Sequence, residues 1–133
     1  MTIHHNALNA RQTQLWLRSL FNWNQEEFFI LALNSELDII SHECLFRGSI
    51  DQVSIHPREV FRWLILAKAS QFIIAHNHPT GVARPSEQDI QVTQNILKNS
   101  KLMQIALVDH LILDHYGYYS FLEHGHLKAI RAK

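Results

Sequence analysis

The sequence predicts a mixed α/β domain, one sheet with helices packed against it. Three observations carry that expectation. The continuous apolar run "EFFILALN", 27–34, reads as a central strand buried on both faces. A second, shorter apolar strand, "QFIIA" at 71–75, lies between two stretches of helical spacing. Hydrophobic residues make up 47% of the 133 positions, enough to fill the core of one ordinary domain without covalent staples.

The elements follow in order. Residues 7–21 are expected to be helical, with Leu8, Leu15, Trp16 and Leu20 at i, i+7, i+8 and i+12 forming the apolar stripe. After the strand at 27–34, a tight turn at Asn34 to Glu36 leads into "LDIISHECLF", 37–46, which Arg47 and Gly48 end. "HPREVFRWLILAKAS", 56–70, carries Pro57 where a first helical turn tolerates it, with Val60, Phe61, Leu64 and Ala67 as its buried face. The strand at 71–75 runs into His76, and Pro79, Gly81 and Pro85 make 79–85 a loop. Ser86 opens a helix to about Ser100, with Ile90, Thr93 and Leu97 on one face. "QIALVDHLILD", 104–114, is a further strand, and Ser120 with Glu123 forms a capping-box pattern for a last helical turn.

Composition narrows the function. Twelve basic and twelve acidic residues balance, which argues against strong autonomous binding to nucleic acid. Cys44 is the single cysteine, so no internal disulfide forms. The first residues, "MTIHHNALNARQTQ", lack the apolar region of a signal peptide, and no apolar run is long enough to span a bilayer. The expectation is a cytoplasmic protein with no membrane partner. The exposed edges of so small a sheet leave room for a homodimer without fixing the oligomeric state.

Chemistry concentrates in "FIIAHNHPTGVARPSEQDI", 72–90. Residues i and i+2 of a strand point the same way, so a strand continued to residue 78 places His76 and His78 on one face. The loop turns the chain back, and Asp89 in the first turn of the next helix can face the strand end. Two histidines and a carboxylate recur in catalytic zinc sites that leave a fourth position to water. Zinc suits this donor set best, although iron, cobalt or manganese could occupy it. The competing reading is chance in a chain of ten histidines, as for His4–His5 and His124/His126. Ser86-x-x-Asp89 is, by itself, a structural helix cap.

His76-x-His78-Pro79, six residues, then Ser86-x-x-Asp89 resembles the JAMM motif of the JAB/MPN metallopeptidases. The longer stretches "HPREVFRWLILAKASQFIIAHNHPTGVARPSEQDI" and "LVDHLIL" resemble the RadC-type JAB domain, over about residues 10–125. The resemblance implies the JAB/MPN, cytidine-deaminase-like architecture across 1–133, without the N-terminal helix-hairpin-helix region of full-length RadC proteins. It implies a zinc hydrolase acting on a peptide or isopeptide bond of a peptide or protein substrate. His76, His78 and Asp89 would be the zinc ligands, Glu26 the general base and Ser86 the donor to the oxyanion. Glu26 is chosen because "E-x-F-x-x-L-x-L-N" of the family ends here on Asn34; Glu27 would point to the other side of the strand, and Glu43 and Glu59 are weaker rivals. Asn77, Asp109 and His110 read as structural or supporting residues. Thr80 and Ser49 depart mildly from the usual Ser and Thr of RadC relatives. The alternatives are a DNA repair or recombination accessory protein without catalysis of its own, and a non-catalytic MPN interaction module.

Overall fold

The computed structural model describes residues 6–7, 9–48 and 55–127. Leu8 of the expected stripe, the His4–His5 pair and Ser49 lie outside the described residues. Helix α1 spans Ala10–Arg18, strand β1 Glu27–Leu33, β2 Ile39–Arg47, helix α2 Pro57–Leu66, β3 Gln71–Asn77, helix α3 Glu87–Met103, β4 Ala106–Leu113 and β5 Tyr118–Ser120. The strands form one mixed sheet in the order β2-β1-β3-β4-β5. β1 is antiparallel to both its neighbours, and β3 and β4 are parallel, joined by α3.

Every residue of β1 is buried, as its unbroken apolar run requires. The β1–β2 turn is closed by Asn34, whose side-chain oxygen accepts from the backbone of Glu36 and Asp38 at 2.9 and 3.0 Å. One face of the sheet packs Phe28, Ile30, Phe72, Ile74 and Ile112 against Val60, Phe61 and Leu64 of α2 and Val92, Ile96 and Leu97 of α3. The other face packs Phe29, Leu31, Ile73 and Leu111 against Leu17 of α1 and Phe21.

Two elements differ from the sequence expectation. In α1 the buried residues are Thr13, Gln14 and Leu17, while Leu15 is exposed and Trp16 and Leu20 are half-buried. Thr13 and Gln14 enter the interior because their polar atoms are used there. The Thr13 hydroxyl donates to the Asn9 carbonyl at 2.9 Å, and Gln14 accepts from Arg18 at 2.7 Å. At the other end, Tyr118–Ser120 pairs with β4 as a strand. Ser120 caps the Glu123 amide at 3.0 Å and its proton goes to Asp109 at 2.6 Å, and the His124 amide closes the expected turn by donating to the Ser120 carbonyl at 3.1 Å.

A β-bulge sets the orientation of β4. Phe72 pairs with Leu107 and Ile73 with Asp109, so Val108 is the extra residue. Beyond it His110 lies beside Ile74, on the α2/α3 face of the sheet, and Asp109 falls on the α1 face. Without the bulge the two side chains would exchange faces.

Candidate metal centre

The site is assembled where β3 ends and α3 begins. The strand pairing of β3 runs through Asn77, and the His78 amide extends it by donating to the Leu113 carbonyl at 2.7 Å. His76 and His78 therefore share a face, and their Nε2 atoms lie 3.1 Å apart. Asn77 points the other way. It is fully buried, accepts from the Glu27 amide at 2.7 Å and donates to the Gln25 carbonyl at 3.0 Å, which ties β1 and its approach to β3.

Asp89 sits in the first turn of α3, in the capping box expected from the sequence. The Ser86 amide donates to Asp89 Oδ2 at 2.7 Å, and the Asp89 amide donates to Ser86 Oγ at 3.1 Å. The cap thus does two things, since it fixes the carboxylate that meets the histidines. Asp89 Oδ1 is 3.0 Å from His76 Nε2, and Oδ2 is 3.5 Å from His78 Nε2. One ligand atom from each of the three residues lies within 4.8 Å of the others, and this is the group among the described residues that could hold a metal ion. Ligand atoms about 2.0–2.1 Å from a tetrahedral centre are roughly 3.3 Å from one another, close to the observed spacings.

The chemistry of the donors fits a cation. His78 Nδ1 is 2.8 Å from the Val82 carbonyl, which only accepts, so Nδ1 carries a proton and Nε2 is the nitrogen turned toward Asp89 and offered to a cation. Burial pushes the Asp89 carboxyl up, but hydrogen bonds from both histidines and the Ser86 amide outweigh it and hold the carboxyl well below the ordinary range. For His78, burial opposes the charged form, but the Asp89 bond, the Val82 carbonyl and the charges of Asp89 and Glu26 raise its pKa.

Glu26 lies just before β1. Phe28 pairs with His76 and its ring stacks against the His76 ring at 6.2 Å, so the same register carries Glu26, two residues earlier, toward His78. Glu27 faces away. Its buried carboxylate accepts from Arg47 Nε at 2.7 Å and from the Asn22 amide. Glu43 lies exposed on β2, and Glu59 pairs with Arg62 on α2 at 3.7 Å. His124 stacks on Tyr119 at 3.9 Å and His126 meets the Tyr119 hydroxyl at 2.6 Å, so that pair is engaged in aromatic packing.

Two residues stand behind the ligands: His110, which the sequence names only as a supporting residue, and Thr93, which it places only on a helix face. His110 Nε2 is 2.9 Å from His76 Nδ1, and His110 Nδ1 is 2.6 Å from the Thr93 hydroxyl. Burial, with the nearby charge of His76 adding to it, holds His110 well below its ordinary pKa, so the ring is neutral. Alternation along β3 and β4 signals His110 only once the bulge is known.

Asp109, on the opposite face, accepts from the Ser120 hydroxyl at 2.6 Å and from the amides of His110 and Leu122 at 2.7 and 3.0 Å. Burial outweighs these bonds and pushes its carboxyl up to about 6. A carboxyl raised on folding favours the native state while it is protonated, below about pH 4, and that contribution is lost as pH rises through about 6. Stability of the wild type is therefore expected to fall by on the order of 2–3 kcal/mol across this window from this group. In Asp109→Asn that part of the slope should be absent, as urea unfolding at a series of pH values would show.

Comparison with known proteins agrees with the geometry. The family model described as RadC-like JAB domain matches residues 6–126. The chain is 42% identical over 111 residues to UPF0758 protein YfjY of Escherichia coli (strain K12), a match covering 83% of this chain and 69% of that protein. The single mixed sheet with α1 on one face and α2 and α3 on the other is the α/β architecture expected of a JAB/MPN domain. No helix among the described residues is long and apolar enough to cross a membrane.

Proposed function

This chain belongs to the RadC-like JAB domain family, and we propose that it is a zinc-dependent hydrolase of peptide or isopeptide bonds. The observation that carries the reading is the convergence of His76 Nε2, His78 Nε2 and the Asp89 carboxylate, with the His78 proton committed to Val82 on the far side of the ring. Two imidazole nitrogens and a carboxylate turned on one point need protons or a cation between them, and a cation satisfies all three at once. When bound, zinc supplies Lewis acidity that brings the pKa of a water molecule down to roughly 7.

The protein groups do the rest. Glu26 takes a proton from the attacking water, whose oxygen bonds to the amide carbon, and returns that proton to the nitrogen as the C–N bond breaks. The Ser86 hydroxyl uses its oxygen to cap the Asp89 amide, which leaves its proton for the carbonyl oxygen as negative charge develops there. The substrate is a peptide or protein met in the cytoplasm.

The test is metal analysis of untagged protein purified without chelator, followed by cleavage assays on a peptide library. About one zinc per chain is expected, with cleavage abolished by chelation and restored by zinc. Protein that takes up no metal when zinc is supplied, or cleavage indifferent to chelation, would overturn the proposal.

A further inference from the structure

We propose that Asn77, the residue between the two histidines, is the positioning residue of Glu26: its side-chain amide holds the peptide groups on both sides of Glu26 and so fixes where the base stands against the metal centre. The effect on rate rests on the hydrolase reading above; the clamp itself does not.

Main-chain pairing with β3 does not reach Glu26. The β1–β3 ladder ends with Phe28 opposite His76, two residues short of it. The Asn77 side chain takes over where the ladder stops. It leaves β3 on the face opposite His76 and His78 and is fully buried. Its Oδ1 accepts from the Glu27 amide at 2.7 Å. Its Nδ2 donates to the Gln25 carbonyl at 3.0 Å and reaches the Asn22 carbonyl at 3.5 Å. The partners decide which side-chain atom is which, because a main-chain N–H only donates and a carbonyl only accepts. A carboxamide carries the same donor and acceptor as a peptide group, so Asn77 adds one more rung between the two segments.

The groups it holds are the ones that flank Glu26. Peptide groups are planar, and the φ and ψ of a residue are the soft rotations between the two planes beside it. Holding the Gln25 carbonyl and the Glu27 amide on one side chain therefore fixes the backbone of Glu26 and the direction in which its side chain leaves. From the β2 edge of β1 the Gly48 amide donates to the Glu26 carbonyl at 2.9 Å, which anchors the second plane again. The clamp is made to main-chain atoms of residues 25 and 27, so the Glu27 carboxylate has no part in it. Asn77 in turn cannot shift without carrying His76 and His78 along. One stretch of three residues thus presents the ligands on one face of the sheet and grips the approach to β1 on the other. Aspartate at 77 would set an oxygen against the Gln25 carbonyl, and leucine would leave both peptide groups without this partner.

The experiment uses the full chain with Asn77→Ser and Asn77→Leu, each also combined with Glu26→Gln. Serine leaves room for water at the freed peptide groups, and leucine keeps the volume without the bonds. The clamp is read without any reaction by NMR of isotope-labelled wild type. A scalar coupling across the hydrogen bond should join the Glu27 amide nitrogen to the Asn77 side-chain carbonyl carbon. Its effect is read by steady-state kinetics on a peptide that the wild type cleaves. Both Asn77 changes should lower kcat about 10–100-fold, the scale of a misplacement of roughly 1 Å, with KM and zinc content near wild type. In the Glu26→Gln background the same changes should lower kcat by less than about twofold, since a base that is absent cannot be misplaced. An equal loss in both backgrounds, a loss that tracks missing zinc, or a folded Asn77 variant with wild-type kcat would overturn the proposal. So would a wild type without the coupling, and that measurement decides alone if neither variant folds. A wild type that cleaves no peptide, or a silent Glu26→Gln, would sink the hydrolase reading while the coupling still decided the clamp.

Discussion

Replacing Asp89 with alanine is expected to remove metal binding and to lower stability together, whereas asparagine should separate the two. The alanine variant loses a charged ligand and the reciprocal half of the α3 capping box. Loss of an outer support of a metal ligand already costs about 10–100-fold in affinity, so loss of a ligand should exceed about 100-fold. The missing cap adds roughly 1 kcal/mol of destabilisation, measurable by denaturant unfolding in the presence of chelator. Asparagine keeps an oxygen for the Ser86 amide, so the metal-free protein should keep that half of the cap and unfold closer to the wild-type midpoint than the alanine variant does. Its neutral amide supplies no charge between the two histidines, and zinc should still be lost. An alanine variant that is folded and retains wild-type zinc affinity would exclude Asp89 as a ligand.

Glu26→Gln is expected to lower the rate of hydrolysis by about 10²–10⁴, the usual weight of a general base, with zinc content unchanged. Glutamine has the size of glutamate and cannot take a proton at neutral pH, so the loss should appear in kcat more than in KM. The neighbouring change Glu27→Gln is the internal comparison. Glu27 is buried on the other face with Arg47 and the Asn22 amide, so its replacement should lower stability and leave the rate of the folded fraction largely intact. The reverse pattern, with Glu27 controlling kcat and Glu26 silent, would assign the base to the wrong glutamate.

Much of this site is legible before folding is considered, and the reasons are local. His76 and His78 are related by strand period, and Ser86 and Asp89 by the geometry of a helix start, so each pair is set by backbone rules acting over a few residues. Glu26 is chosen over Glu27 by resemblance to the family pattern, and the register that sets Phe28 opposite His76 puts Glu26 on the side of the histidines. What escapes is decided between distant segments. The place of His110 behind His76 depends on the bulge at Val108, and no feature of "QIALVDHLILD" announces an extra residue. Thr93 reads as an ordinary member of a helix face, because a threonine that spends its hydroxyl on a buried histidine has the same spelling as one that does not. The buried face of α1 is misplaced for a related reason. Apolar counting favours Leu15, while Thr13 and Gln14 go inside with their polar atoms satisfied. The closing strand β5 goes unread because Ser120 announces the turn that follows it, while pairing with β4 extends the three residues up to it.

The segment between His78 and Ser86 is more constrained than its glycine and prolines suggest. Asp114, at the end of β4, takes the amides of Tyr116 and Gly117 on one carboxylate oxygen and the Ala83 amide on the other, at 3.0 Å. Arg18 braces the same hairpin from α1, donating to the carbonyls of Asp114 and Gly117 at 2.8 and 2.6 Å. The loop is thus pinned near its middle, one residue beyond the Val82 carbonyl that orients His78. Its two halves tolerate length changes differently. Residues inserted between His78 and Val82 would have to bulge out of a closed ring of hydrogen bonds or pull the ligand out of line. Residues inserted between Ala83 and Ser86 would extend a span whose ends are already held by other bonds. Descendants of this sequence have room to diversify the site's rim on the helix side of Ala83, and little on the strand side.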